Sequence, residues 1–208
     1  MKQIKVFLFL ASYLIISSGS LDAQTVNGGI KGGLTMSNFY IDEEDLDDEN
    51  ARFGINAGFF SQIMYFETFG IQPELLYTSK GVEGVYGGVI DQTVKFNLSY
   101  IDLPILAVFR PIEVLDFYAG PFIGFLLSSN VEFSGTIDGE SEIDRDNLNT
   151  FDYGVTAGIA YNFGNLRAGL RYNLGMQNLA DSDVGRLLLG DSKNSYGQLY
   201  IAFNLSQQ

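Results

Sequence analysis

Apolar and polar residues alternate along most of this chain, most cleanly between Phe151 and Met176. In the first arm, FDYGVTAGIAYNF, Phe151, Tyr153, Val155, Ala157, Ile159, Tyr161 and Phe163 take every second position. Asp152, Gly154, Thr156, Gly158, Ala160 and Asn162 stand between them. Successive side chains of a strand point to opposite faces, so the pattern predicts one apolar or aromatic face and one small or polar face. After Gly164-Asn165 the pattern repeats. Leu166, Ala168, Leu170, Tyr172, Leu174 and Met176 share a face opposite Arg167, Gly169, Arg171, Asn173 and Gly175. A Gly-Asn pair between two alternating runs predicts a hairpin.

The arms are 11 to 13 residues long, about twice the usual strand of a soluble domain. Aromatic residues gather at both ends of the first arm. Tyr153 and Tyr161 lie ~26 Å apart along a strand at ~3.3 Å per residue, or ~20 Å after a tilt of about 40°. The wider Phe151–Phe163 pair gives ~30 Å by the same measure, so the two bracket the ~25 Å apolar band and aromatic girdles of an outer-membrane barrel.

The same reading predicts six more strands, over 27–39, 51–66, 69–80, 94–109, 115–127 and 194–205. With the two arms above, the chain reads as all-β: an eight-stranded antiparallel up-and-down transmembrane β-barrel. The connections alternate between long and short, which gathers the long loops at one rim and the tight turns at the other. Outer-membrane barrels place long loops outside and short turns in the periplasm, so both termini are expected in the periplasm. Pro73, Pro104 and Pro121 fall inside strands and each removes a ladder donor, which predicts bulges or local breaks. The continuous apolar run from Leu103 to Phe109 predicts a register slip at Asp102-Leu103-Pro104. Residues 81–93 read as a Gly-rich loop.

The first residues have another purpose. Lys2 and Lys5 precede an apolar run of 11 residues, Val6 to Ile16, and Ala23 precedes Gln24. The run is too short to span a bilayer and reads as a secretory signal peptide over 1–23, leaving 24–208 as the barrel domain. Leu21, larger than usual three residues before the cut, leaves the cleavage position open. Without Lys2, Lys5 and Asp22 the mature chain keeps 10 basic and 24 acidic residues, a net charge of −14. That sign speaks against nucleic acid and against attachment to anionic lipid by charge.

The chain has no Cys and no His. Disulfides, a lipidated cysteine, Ser-His-Asp and Cys-His catalysis and imidazole metal sites are therefore excluded. No enzyme and no cofactor is expected. Asp42, Glu43, Glu44, Asp45, Asp47, Asp48 and Glu49 form an acidic stretch, a weak candidate for Ca²⁺ or Mg²⁺, although it lacks the spacing and glycine of an EF-hand loop. A solvated acidic loop is the plainer reading. Alternation aims Lys31, Arg52, Glu74, Asp152, Arg167 and Arg171 into the barrel interior. Opposed strands set Glu74 across from Arg171 and Arg52 across from Asp152. Leaving one such charge unpaired costs ~3–5 kcal/mol when it is buried.

GIQPELLYTSKG at 70–81, YIDLPILAVF at 100–109, FYAGPFIGFLL at 117–127, FDYGVTAGIAYNFG at 151–164 and RYNLGMQNL at 171–179 occur in this order. Together they resemble the PorT-like outer-membrane β-barrel family, often labelled porin-like. The resemblance covers nearly all of the mature chain. It implies an eight-stranded barrel in the outer membrane of a Gram-negative bacterium and little defined biochemistry. One named member serves a protein-secretion system, and no residue here carries that role over. Two classes of function follow. One is a barrel filled by its own side chains that meets a protein or surface ligand through its outer loops. The other is a small passive channel.

Overall fold

The computed structural model describes residues 25–40, 49–86, 92–135, 139–142, 148–179 and 192–205. They form nine strands: β1 (Thr25–Tyr40), β2 (Glu49–Met64), β3 (Phe69–Tyr86), β4 (Gln92–Ile112), β5 (Leu115–Gly135), β6 (Gly139–Glu142), β7 (Phe151–Phe163), β8 (Leu166–Asn178) and β9 (Lys193–Asn204). Eight of them close into an antiparallel barrel in the order β4-β3-β2-β1-β9-β8-β7-β5, with β4 also paired to β5. The short β6 extends β5 beyond the loop rim and stands outside the closed wall. Closure gives every strand two paired edges, as a bilayer with no water to satisfy the backbone requires.

The apolar faces point outward. Phe53, Ile55, Phe59, Leu170, Leu199 and Ile201 are more than half exposed in the isolated chain. Two aromatic rows bound this belt. Phe69, Phe109 and Phe117 align across β3, β4 and β5 near the turn rim, with ring centroids 5.1 and 6.5 Å apart. Phe125, Phe151 and Tyr153 cluster on β5 and β7 nearer the loops, at 5.2 and 6.4 Å. Phe117 and Phe125 are eight residues apart on β5, the same separation as Tyr153 and Tyr161, so the belt has the height of an apolar bilayer core.

The small face has a specific use. Tyr118 pairs across the ladder with Gly158, Phe122 with Gly154, and Tyr200 with both Gly33 and Gly169. A Cβ at Gly158 or Gly169 would collide with the ring of Tyr118 or Tyr200. Glycine therefore lets large rings lie flat against the wall, inside a lumen that eight strands leave only just wide enough for side chains.

Two expectations need correction, and a third is met in one of its two forms. The stretch 81–93 is not simply a loop: β3 runs to Tyr86 and β4 begins at Gln92, and one unbroken register joins Leu76↔Asp102 to Tyr86↔Gln92. Backbone pairing on both strands holds this Gly-rich ribbon beyond the rim, where side-chain periodicity has no core to report. The prolines give the expected local breaks, without bulges: they interrupt the ladder without shifting it. Pairing lapses between Pro73↔Ile105 and Leu76↔Asp102, and between Pro104↔Phe122 and Ala107↔Ala119, at constant register. Register shifts lie elsewhere, at Ala51/Asn56, Ser99/Tyr100, Phe109/Ile112 and Leu174/Asn178. There is also no slip at Asp102-Leu103-Pro104. Tyr100, Asp102, Pro104, Leu106 and Val108 all face inward. The apolar run is continuous because this part of the interior is itself apolar, built from Phe60, Met64, Leu106, Val108, Tyr118, Ala160, Tyr200 and Ala202.

Candidate functional site

The chemistry of this barrel is gathered in its lumen, where charged side chains cross from wall to wall at three levels. The middle level centres on Glu74 of β3. Arg171 of β8 donates to both of its carboxylate oxygens, each at 2.7 Å. Lys31 of β1 reaches the same carboxylate at 3.2 Å, and Gln72 Nε2 donates at 2.6 Å. The Lys31, Glu74 and Arg171 side chains are essentially without solvent contact. Lys31 Nζ also lies 3.7 Å from the ring centre of Tyr200, and the Arg171 guanidinium 4.9 Å from that of Tyr118. The two tyrosine hydroxyls are 2.9 Å apart. A two-point Arg–carboxylate contact fixes geometry as well as charge, so this level is a rigid crossbar over three strands.

The level at the turn rim is built around Asp116. Arg110 grips it through Nε at 2.6 Å and Nη2 at 3.0 Å. Arg167 Nη2 stands 3.3 Å from Asp116 Oδ2. Two glutamines join the cations: Gln62 Oε1 accepts from Arg110 and Arg167, and Gln72 Oε1 accepts from Gln62 and Arg167. Arg167 also donates to Asn162 Oδ1 at 2.7 Å.

The level nearest the loops holds Lys80 between two carboxylates. Its Nζ lies 3.0 Å from Asp102 Oδ1 and 3.4 Å from Asp152 Oδ2. Tyr196 donates to Asp102 and Asn194 to Asp152. The rings of Tyr100, Tyr196 and Phe122 surround the ammonium at 4.3, 4.4 and 5.3 Å. Above it, Leu98, Tyr100, Leu126, Leu148 and Leu179 pack into an apolar cap. Backbone bonds from Leu126 to Thr150, Asn149 to Leu179 and Leu179 to Ser192 tie the strand ends into that cap.

Of the six residues aimed inward by alternation, Lys31, Glu74 and Arg171 meet at the middle level and Arg167 joins the turn-rim level. Asp152 takes Lys80 as its cation, not Arg52. Arg52 stands at the β2–β3 irregularity, where Ser79 Oγ and the Lys80 carbonyl accept from it at 3.2 and 3.1 Å. Lys80, Asp102, Arg110 and Asp116 were missing from the sequence-derived set. Lys80 continues the inward parity of Gln72, Glu74 and Thr78, and Asp102 was hidden by the expected slip. Arg110 and Asp116 flank a segment read as a turn, yet they sit beside the Phe109↔Phe117 pair and face each other across the hairpin. The acidic stretch Asp42 to Asp48 lies outside the described residues, as do the side chain of Glu49 and the leader. Among the described residues no group of three Asp or Glu side chains is placed to hold a metal ion.

Comparison with known proteins places this architecture. Solved structures similar in fold include Ail, the attachment invasion locus protein of Yersinia pestis, at 17% identity and a TM-score of 0.49, covering 89% of this chain and 100% of that one. Ail in complex with the heparin analogue sucrose octasulfate gives a TM-score of 0.50 at 17% identity, covering 86% and 99%. Neisserial surface protein A gives 0.49 at 13% identity, covering 88% and 100%. Such identities speak for the fold alone. Among curated proteins none matches. Residues 22–181, however, match the family described as outer membrane protein beta-barrel domain. With that match over most of its length, and a closed wall whose apolar belt meets lipid, the chain belongs to the outer-membrane β-barrel family and resides in the outer membrane.

Proposed function

We propose that this is a barrel closed by its own side chains, which acts through its outer loops as a structural or interaction protein of a Gram-negative outer membrane. One observation carries the reading: Glu74 and Arg171, both buried, join opposite walls through two hydrogen bonds of 2.7 Å. Ions crossing the lumen would have to break that contact and strand two desolvated charges. The levels above and below and the apolar cap repeat the obstruction. In this orientation the long connections face outward, both termini lie in the periplasm, and residues 1–23 are removed as a signal peptide.

The five segments resembling the PorT-like family supply Gln72, Glu74, Lys80, Asp102, Tyr118, Asp152 and Arg171. These are lumen residues, so the PorT-like resemblance bears on the interior of the barrel and leaves the partner to the loops. A polyanion such as the sulfated sugar held by Ail is disfavoured. Residues 42–49 carry seven carboxylates, and 132–146 add Glu132, Asp138, Glu140, Glu142, Asp144 and Asp146. The partner expected of such loops is a cationic or neutral surface.

Purified protein reconstituted in a planar bilayer tests the closed lumen. No steady ion conductance is expected. Stable, uniform conductance steps would replace this reading with that of a small passive channel.

A further inference from the structure

The outer wall changes character within one step of the loop rim. Across β3, β4, β5 and β7 the ladder aligns Tyr77, Ile101, Phe125 and Phe151 in one outward row. This is the loop-side aromatic edge of the lipid belt, where the rings of Phe125 and Phe151 stand 5.2 Å apart. The next row toward the loops aligns Ser79, Ser99 and Ser128 on β3, β4 and β5. These serines face out. Thr78 and Lys80 beside Ser79, and Leu98 and Tyr100 beside Ser99, are all buried. The register shift between Ser99 and Tyr100 adds one residue to β5, so that Leu127 and Ser128 are both exposed.

The hydroxyls are oriented as well as aligned. Tyr77 Oη lies 2.9 Å from Ser99 Oγ. Ser79 Oγ accepts from Arg52 Nη1 at 3.2 Å, which leaves its own O–H to donate. On the opposite side of the barrel Tyr172 makes the same contact with Ser195. In both pairs the serine stands two residues nearer the loops than the tyrosine's own ladder partner, Ile101 or Gly197. Each tyrosine ring covers the edge of the belt and turns its hydroxyl toward the rim, as an amphipathic ring does where lipid chains give way to headgroups.

We propose that the Ser79–Ser99–Ser128 row, with Tyr77, is a contact for the sugar headgroup of an outer-leaflet glycolipid. The row is continuous with the lipid-facing belt, so what meets it is the headgroup of a lipid whose chains cover the wall below. Three serines and a tyrosine offer neutral donors and acceptors, the match for sugar hydroxyls. The chain's net charge of −13 disfavours an anionic headgroup at the same place. The inference rests on the outward placing of the long loops, which sets this rim in the outer leaflet.

Retained lipid, read by native mass spectrometry of the protein in a polyoxyethylene detergent that brings no sugar of its own, tests the inference. Three probes share the same acyl chains: monoglucosyl diacylglycerol, phosphatidylglycerol and phosphatidylcholine. Two neutral hydrogen bonds correspond to about a tenfold preference for the glucosyl lipid. Ser79→Ala, Ser99→Ala and Ser128→Ala combined are expected to erase that preference. Ser61 also faces out, between buried Phe60 and Gln62, but near the turn rim. Ser61→Ala is expected to keep the preference. Equal retention of the three lipids by the parent protein overturns the proposal, as does a preference for phosphatidylglycerol. So does a preference that survives the triple change or disappears with Ser61→Ala, because the contact then lies elsewhere. Retention in micelles reads neither conductance nor orientation, so its failure and a failure of the closed-lumen reading are told apart.

Discussion

At the scale of single residues, the lumen is governed by the expense of isolated charge. Glu74 accepts hydrogen bonds from Arg171, Lys31 and Gln72, so Glu74→Ala leaves two buried cations without a counter-ion. The expected loss of stability is ~3–5 kcal/mol. Glu74→Ala combined with Arg171→Ala should lose less than the sum of the single changes, because the second removes a charge that the first had stranded. Unfolding in urea from detergent micelles measures all three. Strict additivity would show that lumen water already screens the pair. Parity along β3 and β8 was enough to bring Glu74 and Arg171 together in advance. It was not enough for Arg52 and Asp152, because the inward side chain that reaches Asp152 first, Lys80, lies on a third strand.

At the scale of elements, hairpins and ladders divide the work. Gly164 opens the β7–β8 turn at φ +63°, and a Cβ there would meet nothing within 4 Å. Its requirement is therefore purely conformational. Gly164→Val is expected to cost ~1–2 kcal/mol through the left-handed backbone alone, and Gly164→Asn far less. Equal stability of the two variants would mean that the turn relaxes to another type. The Gly-Asn pair and the alternation around it were legible from composition. The extension of β3, β4 and β5 past the rim was not, because beyond the membrane a strand is specified by its paired neighbours and shows no apolar face. The prolines produced the local breaks expected of them, and no bulge. The wall tolerates a missing donor by dropping one pairing, while its neighbours hold the register.

At the scale of the whole molecule, the belt and the loops set orientation. Leu199 lies within the lipid-facing belt and is 55% exposed in the isolated chain. Leu199→Arg is expected to destabilise the barrel by ~2–4 kcal/mol in lipid vesicles, the range for a cation near the bilayer midplane. A change close to zero would put this face against protein or water. Epitope tags near Asp45 and Asp138 should bind antibody on intact cells, and a tag near Asn165 only after the outer membrane is opened. The reverse labelling would invert the barrel.

The sequence by itself determined the alternation, the count of eight membrane strands, the apolar belt and the inward side of Lys31, Glu74, Asp152, Arg167 and Arg171. These follow from a period of two and from the span of a bilayer, both local or one-dimensional properties. Tertiary structure decided which charges meet. Barrel shear and the four register shifts set the height of each inward side chain. Heights on strands far apart in sequence then sort ten charges into a crossbar at Glu74, a grip on Asp116, and a cage around Lys80 with Arg52 beside it. Tertiary structure also explained the glycines. A small inner face reads as empty space along the chain, but across the ladder it is the floor on which Tyr118, Phe122 and Tyr200 lie.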